Sequence, residues 1–114
     1  MENDLNTDWK ELLQKLEPQF GEGLELEGII FLVGVQELGQ GFRKFSKSEK
    51  MDIMHIAICR LLSGWGYYEL EGTDKDGWPH WKVVEKLPPL NVVQQQLLLK
   101  EAIVEYFREL TIDN

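Results

Sequence analysis

Hydrophobic residues recur at intervals of three and four near the start, the middle and the end of the chain, and this spacing places them on one face of a helix in each region. The first of these stripes begins at Leu5. Either Thr7 or Asp8 can serve as its N-cap. Pro18 predicts an end near Glu17, because proline disfavours helical geometry in the residue before it. We therefore expect an amphipathic first helix that stops at the proline.

Residues 24–38 form a second segment, and its central run, residues 28–35, is apolar on every face. Periodicity cannot separate a buried helix from a buried strand in such a run. Its length between turn residues favours a helix, whereas its β-branched residues favour a strand. We predict a central buried helix and keep the buried strand as the alternative. In the helix, Gly28 and Gly34 would let neighbouring elements pack closely.

Capping boxes mark the starts of two more helices. Ser46 and Glu49 have the spacing at which a serine side chain and a glutamate side chain each bond the other's backbone N–H group. Asn91 and Gln94 have the same spacing further along the chain. The predicted helices run from Ser46 to about Ser63 and from Val92 to Leu110.

Between these two helices the pattern indicates a β-hairpin. Alternating residues predict strands at 67–71 and 80–85, and the aspartates and glycine of residues 73–77 are typical of a turn. The predicted order of elements is therefore α-α-α-β-β-α. This is a mainly helical α+β fold, with four helices and one antiparallel hairpin between the third and fourth helices.

One register of the hairpin gives two favourable cross-strand charge pairs. It sets Glu71 opposite His80 and Glu69 opposite Lys82. Side chains alternate between the two faces of a strand. The register then predicts a core face of Tyr68, Leu70, Trp81 and Val83, and an outward face of Tyr67, Glu69, Lys82 and Val84.

Composition fits one folded domain. The chain has 114 residues, of which 43% are hydrophobic, and we expect a single domain over 1–114 with frayed ends at 1–4 and 111–114. It has no apolar run of the roughly eighteen residues that a membrane span needs. The single cysteine, Cys59, and the absence of a signal-like start predict a cytoplasmic protein. The net charge of −8 argues against nucleic acid and anionic membranes as partners.

Asp52, His55 and Cys59 lie on one side of the third helix at positions i, i+3 and i+7. The histidine and cysteine could share a metal ion, but structural zinc takes four ligands and only His80 is an obvious further donor. We therefore expect Cys59 to pack as a small hydrophobic residue and His55 to form a hydrogen bond. The three residues remain weak metal candidates, and no cofactor is predicted.

Residues 65–81 hold a cluster of aromatic side chains. Such residues stabilise a small hairpin on its helices, and they are also favoured at recognition surfaces. The structural role is the stronger expectation. If part of the cluster binds a ligand, the sequence favours Tyr67, Trp78 and His80, because the Trp-Pro-His segment lies near the turn.

The last helix has a wider apolar face than one packing neighbour needs. Our leading hypothesis is a non-enzymatic protein-interaction module that self-associates through this helix, or that binds another protein, since the sequence contains no catalytic motif. The candidate interface residues are Leu99, Ile103, Tyr106 and Leu110.

Two other hypotheses stay open. The order of elements resembles the layout of winged-helix proteins over residues 5–110, which would imply a regulatory or nucleic-acid-associated role. Against this, the third helix is too apolar for a recognition helix and the hairpin is acidic. The other alternative is a small-molecule or metal-binding protein that uses the aromatic hairpin with His55 and Cys59.

Overall fold

The computed structural model describes the backbone of residues 5–112 and the side chains of residues 5–110. The elements follow one another in the predicted order, and the segment that allowed either a helix or a strand is a helix. They are α1 (Leu5–Phe20), α2 (Leu26–Leu38), α3 (Lys47–Ser63), β1 (Tyr68–Thr73), β2 (Pro79–Val83) and α4 (Val92–Ile112). Residues 1–4 and 113–114, parts of the ends that we expected to fray, lie outside the described residues.

Helix α2 is the buried centre of the fold. Ile29 and Val33 are fully buried, and residues further along the helix, through Leu38, also face other elements. The helix ends at Gly39, whose left-handed backbone (φ 72°) lets its N–H donate to the carbonyl of Val35 at 3.2 Å. A glycine adopts this conformation without the steric cost that a side chain would bring.

Helices α2 and α3 approach most closely at Gly34. A Cβ atom at this position would collide with the backbone carbonyl and the side chain of Ile53, which is itself fully buried. The expected close approach is therefore confirmed at Gly34. It is not found at Gly28, where the nearest atom to an added Cβ is a methyl carbon of Leu24 at 4.0 Å.

The core has two parts. The larger joins all four helices and includes Leu12, Leu16, Ile29, Val33, Ala57, Leu61, Ile103 and Tyr106. The smaller consists of Val35, Leu38, Phe45 and Ile53, and Phe31 and Trp78 pack against it. Trp78 belongs to the hairpin, so the smaller cluster is where the hairpin joins the helices.

Both predicted capping boxes are present. The Ser46 hydroxyl accepts from the N–H of Glu49 at 3.1 Å, and the Glu49 carboxylate accepts from the N–H of Ser46 at 2.8 Å. Asn91 and Gln94 exchange the same two bonds at 2.8 and 3.0 Å. Each box satisfies two donors at the start of its helix.

Helix α1 differs from the prediction at both ends. It begins at Leu5, so Thr7 and Asp8 lie inside it and do not cap it, and it continues through Pro18 to Phe20. Proline removes one backbone donor. Here that loss falls in the last turn, which closes when the N–H of Gly21 donates to the carbonyl of Glu17 at 2.8 Å.

The hairpin register is correct at one charge pair and wrong at the other. Glu69 lies opposite Lys82, with 3.6 Å between carboxylate and ammonium. A β-bulge at Glu71 then shifts the pairing, so that Gly72 lies opposite His80. A bulge inserts one unpaired residue, and side-chain alternation alone gives no sign of it.

The predicted core face of the hairpin is only partly covered. Tyr68 and Trp81 are half-buried, but Leu70 and Val83 are 50% and 59% exposed. Helix α3 and its preceding loop hold the hairpin at its two ends: the N–H of Tyr67 bonds the Leu62 carbonyl at 3.3 Å, and Gln40 bonds the Asp76 carbonyl at 3.1 Å. The middle of the hairpin is consequently left open to solvent.

The contact at Gly34 predicts opposite effects for two glycine-to-alanine changes. Gly34→Ala should lower the free energy of unfolding by about 3 kcal/mol, because the new methyl group meets a backbone carbonyl that cannot move aside freely. Gly28→Ala should raise it by about 0.5–1 kcal/mol through helix propensity. Urea unfolding of both variants measures the difference, and equal stabilities would contradict the close packing of α2 on α3.

Candidate interaction surface

Exposed apolar side chains concentrate in one segment of the chain. Val92 and Val93 are 68% and 63% exposed, and Leu97 is 45% exposed, although all three lie on a helix. We call this segment the 83–97 surface. Its exposed apolar members are Val83, Val84, Leu87, Val92, Val93 and Leu97. Exposed apolar residues that cluster in this way along the chain, unlike scattered ones, make the segment a candidate for an interaction site.

The part of this surface from Leu87 onwards carries no charge, and Glu85 and Lys86 are the charged residues in the rest of it. No residue between Leu87 and Leu99 is acidic or basic, whereas the chain as a whole has a net charge of −8. The connector contains Pro88 and Pro89, which restrict its backbone, and the Asn91–Gln94 box fixes the start of α4. The chain therefore presents an uncharged apolar surface in a defined conformation.

Three of the four candidate interface residues of the last helix fall in its C-terminal half, and Leu99 lies just before its middle. Ile103 is fully buried and Tyr106 is 2% exposed, both within the chain's own core. Leu99 and Leu110 are partly buried against that core. The predicted stripe is real, but the other helices cover its C-terminal half. Apolar spacing alone does not show which half of a long stripe stays open.

A groove that the sequence did not indicate runs beside the C-terminal half of α4. Its larger part, about 620 Å³, lies between α1 and α4, and a smaller part of about 240 Å³ continues between α2 and the Gly39–Phe42 loop. Phe20, Gln36 and Phe107 line both parts. The groove arises from the angle at which helices pack, which no local pattern encodes.

The two parts of this groove differ in character. The larger part has an apolar floor that includes Leu12, Leu16 and Val104, and its charged residues are Asp8, Glu11, Lys15 and Arg108. Asp8 and Arg108 form an ion pair at 3.3 Å. The smaller part has no charged lining residue among those that the structure describes. Among the described residues that line the groove, acids and bases are equal in number, so the charges of these residues sum to zero.

The weak metal candidates do not form a site in the described part of the chain. Cys59 Sγ lies 3.5 Å from His55 Nε2, as the spacing predicted, but Asp52 is exposed, and residues 5–110 contain no group of three metal-ligating side chains. Burial raises the pKa of the Cys59 thiol to about 11. A protonated, fully buried thiol is a poor nucleophile and a poor metal ligand.

The three hairpin residues chosen as a candidate binding surface are not brought together. Tyr67 lies at the base of the hairpin, whereas Trp78 lies at the tip, half-buried on the smaller core cluster. His80 is exposed, and its Nε2 lies 3.0 Å from a carboxylate oxygen of Asp74. In this structure Trp78 therefore attaches the hairpin to the helices.

Asp74 organises the turn. Its Oδ1 accepts the N–H groups of Asp76 and Trp78 at 2.9 and 3.0 Å, and its Oδ2 faces His80. The hydrogen bond with His80, followed by the one from the Trp78 backbone, lowers the pKa of Asp74 below its ordinary value. The turn is therefore held by the oxygen acceptors of the Asp74 side chain.

A polar cluster joins three helices inside the fold. The Tyr106 hydroxyl of α4 donates to the Glu37 carboxylate of α2 at 2.6 Å, and Arg60 of α3 lies 3.5 Å from the same carboxylate. The Arg60 guanidinium also lies over the Tyr106 ring at 5.1 Å. Burial, followed by the bond to Glu37, raises the pKa of Tyr106.

Comparisons with protein-family models, curated proteins and solved structures give no significant match to this chain. No helix within residues 5–112 combines the length and hydrophobicity that crossing a membrane requires. The functional inference therefore rests on the surfaces described above.

Asp74 variants should separate the role of its carboxylate as a hydrogen-bond acceptor from the role of its charge. Asp74→Ala should disorder the turn, which amide NMR signals of Asp76 and Trp78 would show, whereas Asp74→Asn should keep most of the order because an amide oxygen also accepts hydrogen bonds. In the wild type the lowered pKa means that the carboxylate's contribution is present above its ordinary pKa, and is lost as pH falls through the folded value. Unchanged amide signals in Asp74→Ala would contradict this role.

Tyr106→Phe should lower the free energy of unfolding by about 1–3 kcal/mol at neutral pH, since the bond to Glu37 is lost. Because the folded pKa of Tyr106 is raised, its stabilisation is complete below the ordinary value of 10.0 and declines as pH rises above it. The difference between wild type and variant in urea unfolding should therefore shrink above about pH 10. A difference independent of pH would show that the hydroxyl is not a donor in the fold.

Proposed function

We propose that this protein is an interaction module that associates with a second copy of itself through the 83–97 surface. The observation that carries the proposal is the exposure of Val92, Val93 and Leu97 on a capped, ordered helix. Burying apolar surface contributes roughly 25 cal/mol of favourable free energy per Å². Covering these exposed side chains with a partner would therefore stabilise the complex.

The distribution of charge along the chain also favours the 83–97 surface as the interface. Two copies that each carry −8 repel one another wherever their acidic faces meet. The uncharged residues 87–99 allow two copies to approach closely without bringing their acidic faces together. Salt screens the remaining repulsion over a Debye length of about 8 Å at physiological ionic strength. Association should consequently strengthen as salt is added.

The alternatives have less support. Metal binding would need ligands beyond the Cys59–His55 pair, and none joins it among the described residues. A nucleic-acid role would place the exposed hairpin acids, such as Glu69, Asp74 and Asp76, near phosphates. Neither the hairpin nor α3 offers an observation that favours these functions over self-association.

Val93→Glu tests the proposal without harming the monomer. Val93 lies in the first turn of α4, where an acidic side chain is favourable towards the helix dipole by about 0.3–1 kcal/mol. The variant should remain folded and become monomeric, because it places a charge on the apolar surface. Light scattering at several concentrations, with circular dichroism for folding, measures both.

Met51→Glu is the matched control, since Met51 is 67% exposed on α3 and lies outside the 83–97 surface. It should associate as the wild type does. A wild-type protein that is monomeric at all concentrations would refute self-association. If Val93→Glu and Met51→Glu weakened association equally, the added charge, rather than the 83–97 surface, would govern association.

A further inference from the structure

Helix α4 carries one continuous stripe that links the open surface to the groove. Val93, Leu97, Lys100, Val104 and Phe107 follow one another at spacings of four, three, four and three residues, which is the spacing of a helix-pairing seam. Val93 and Leu97 are exposed, whereas Val104 and Phe107 line the groove. Both features therefore lie along the same side of one helix.

We propose that the groove of each copy receives the 83–97 surface of the other, so that two α4 helices pair antiparallel about a two-fold axis near Lys100 and Glu101. This inference rests on the proposed self-association and names the surface that the partner supplies. In such a pair, Val93 of one copy lies beside Phe107 of the second, and Leu97 lies over the groove floor at Val104, which is 7% exposed. The two contacts are identical, as a two-fold interface requires.

The area that a stable dimer needs favours this reciprocal contact. A standard interface removes about 800 Å² from each partner. A fully buried aliphatic side chain supplies roughly 60–120 Å² at 25 cal/mol per Å². Val92, Val93 and Leu97 packed only on their own counterparts therefore fall short. When they enter the groove, its walls from α1 and α2 are covered as well, and each copy contributes to both contacts.

Charge also fits this partner. The described residues that line the groove have a net charge of zero, because Asp8 and Glu11 are balanced by Lys15 and Arg108. The segment that would enter it, residues 87–99, is uncharged. An acidic or a basic partner segment would gain nothing from such a groove.

Lys100 and Glu101 are the charged residues at the proposed two-fold axis. Lys100 is half-buried, and its ammonium lies 5.3 Å above the Trp9 ring, whereas Glu101 is exposed. An antiparallel pair places Glu101 of one copy near Lys100 of the second. The same register brings the two Lys100 side chains close together, so Glu101 of each copy would offset the repulsion between them.

Gln36→Lys tests the groove independently of the 83–97 surface. Gln36 is exposed, lies where the two parts of the groove meet, and is near the C-terminal end of α2, where a cation is favourable for the helix. The variant should stay folded and weaken dimerisation at least about tenfold, because a charge would be covered by apolar residues. Gln14→Lys, an exposed change on α1 outside the groove lining, is the control and should alter the dimer Kd less than about twofold.

Mixing the V93E and Q36K proteins supplies the decisive comparison, followed by sedimentation velocity. Each variant alone has two damaged contacts. The mixed dimer has one wild-type contact and one in which the introduced carboxylate faces the introduced ammonium, so association should recover in the mixture.

A Q36K protein that dimerises as the wild type does, beside a monomeric V93E protein, would overturn the groove contact and leave the proposed function standing. A mixture that stays monomeric would overturn the reciprocal pairing. A monomeric wild type would refute both proposals.

Discussion

The close approach of α2 and α3 at Gly34 is the contact on which the rest of the structure depends. Residues 28–35 of α2 are apolar, so this part of the helix must be covered by other elements, and Gly34 lets the backbone of α3 cover it without a gap at Ile53. The smaller core cluster includes Ile53 together with Val35 at the same helix pair. Trp78 packs on that cluster, so the position of the hairpin follows from a contact between two helices.

The open half of α4 follows from the unequal lengths of the helices. Helix α4 has 21 residues, or about 31 Å at 1.5 Å per residue, whereas the central α2 has 13. The core covers α4 only where the other helices reach it, which is around Ile103 and Tyr106. The N-terminal half extends past this cover with Val92 and Val93 exposed. The exposed N-terminal half and the buried C-terminal half of α4 therefore both follow from the difference in helix length.

The sequence predicted those features that depend on local chemistry. Both capping boxes could be recognised because their partners lie three residues apart, and a helix over residues 26–38 agrees with the length argument. Features that depend on contacts between distant elements could not be predicted. Pro18 is tolerated inside α1, and the bulge at Glu71 changes the hairpin pairing. The candidate interface residues Ile103, Tyr106 and Leu110 lie in the half of α4 that the other helices cover, and the groove was missed because it depends on how the helices pack.

Helical order in the exposed half of α4 needs its own physical cause, because most helices in proteins are stabilised by packing of an apolar face. Around Val92 and Val93 that packing is missing. The Asn91–Gln94 box satisfies two backbone donors at this end, and the preceding prolines restrict the unfolded chain. These local features hold an apolar surface in a fixed shape in water. A surface that is ordered before it meets a partner loses less conformational entropy on binding. The capping box and the prolines that stabilise the exposed half of α4 therefore also favour association through it.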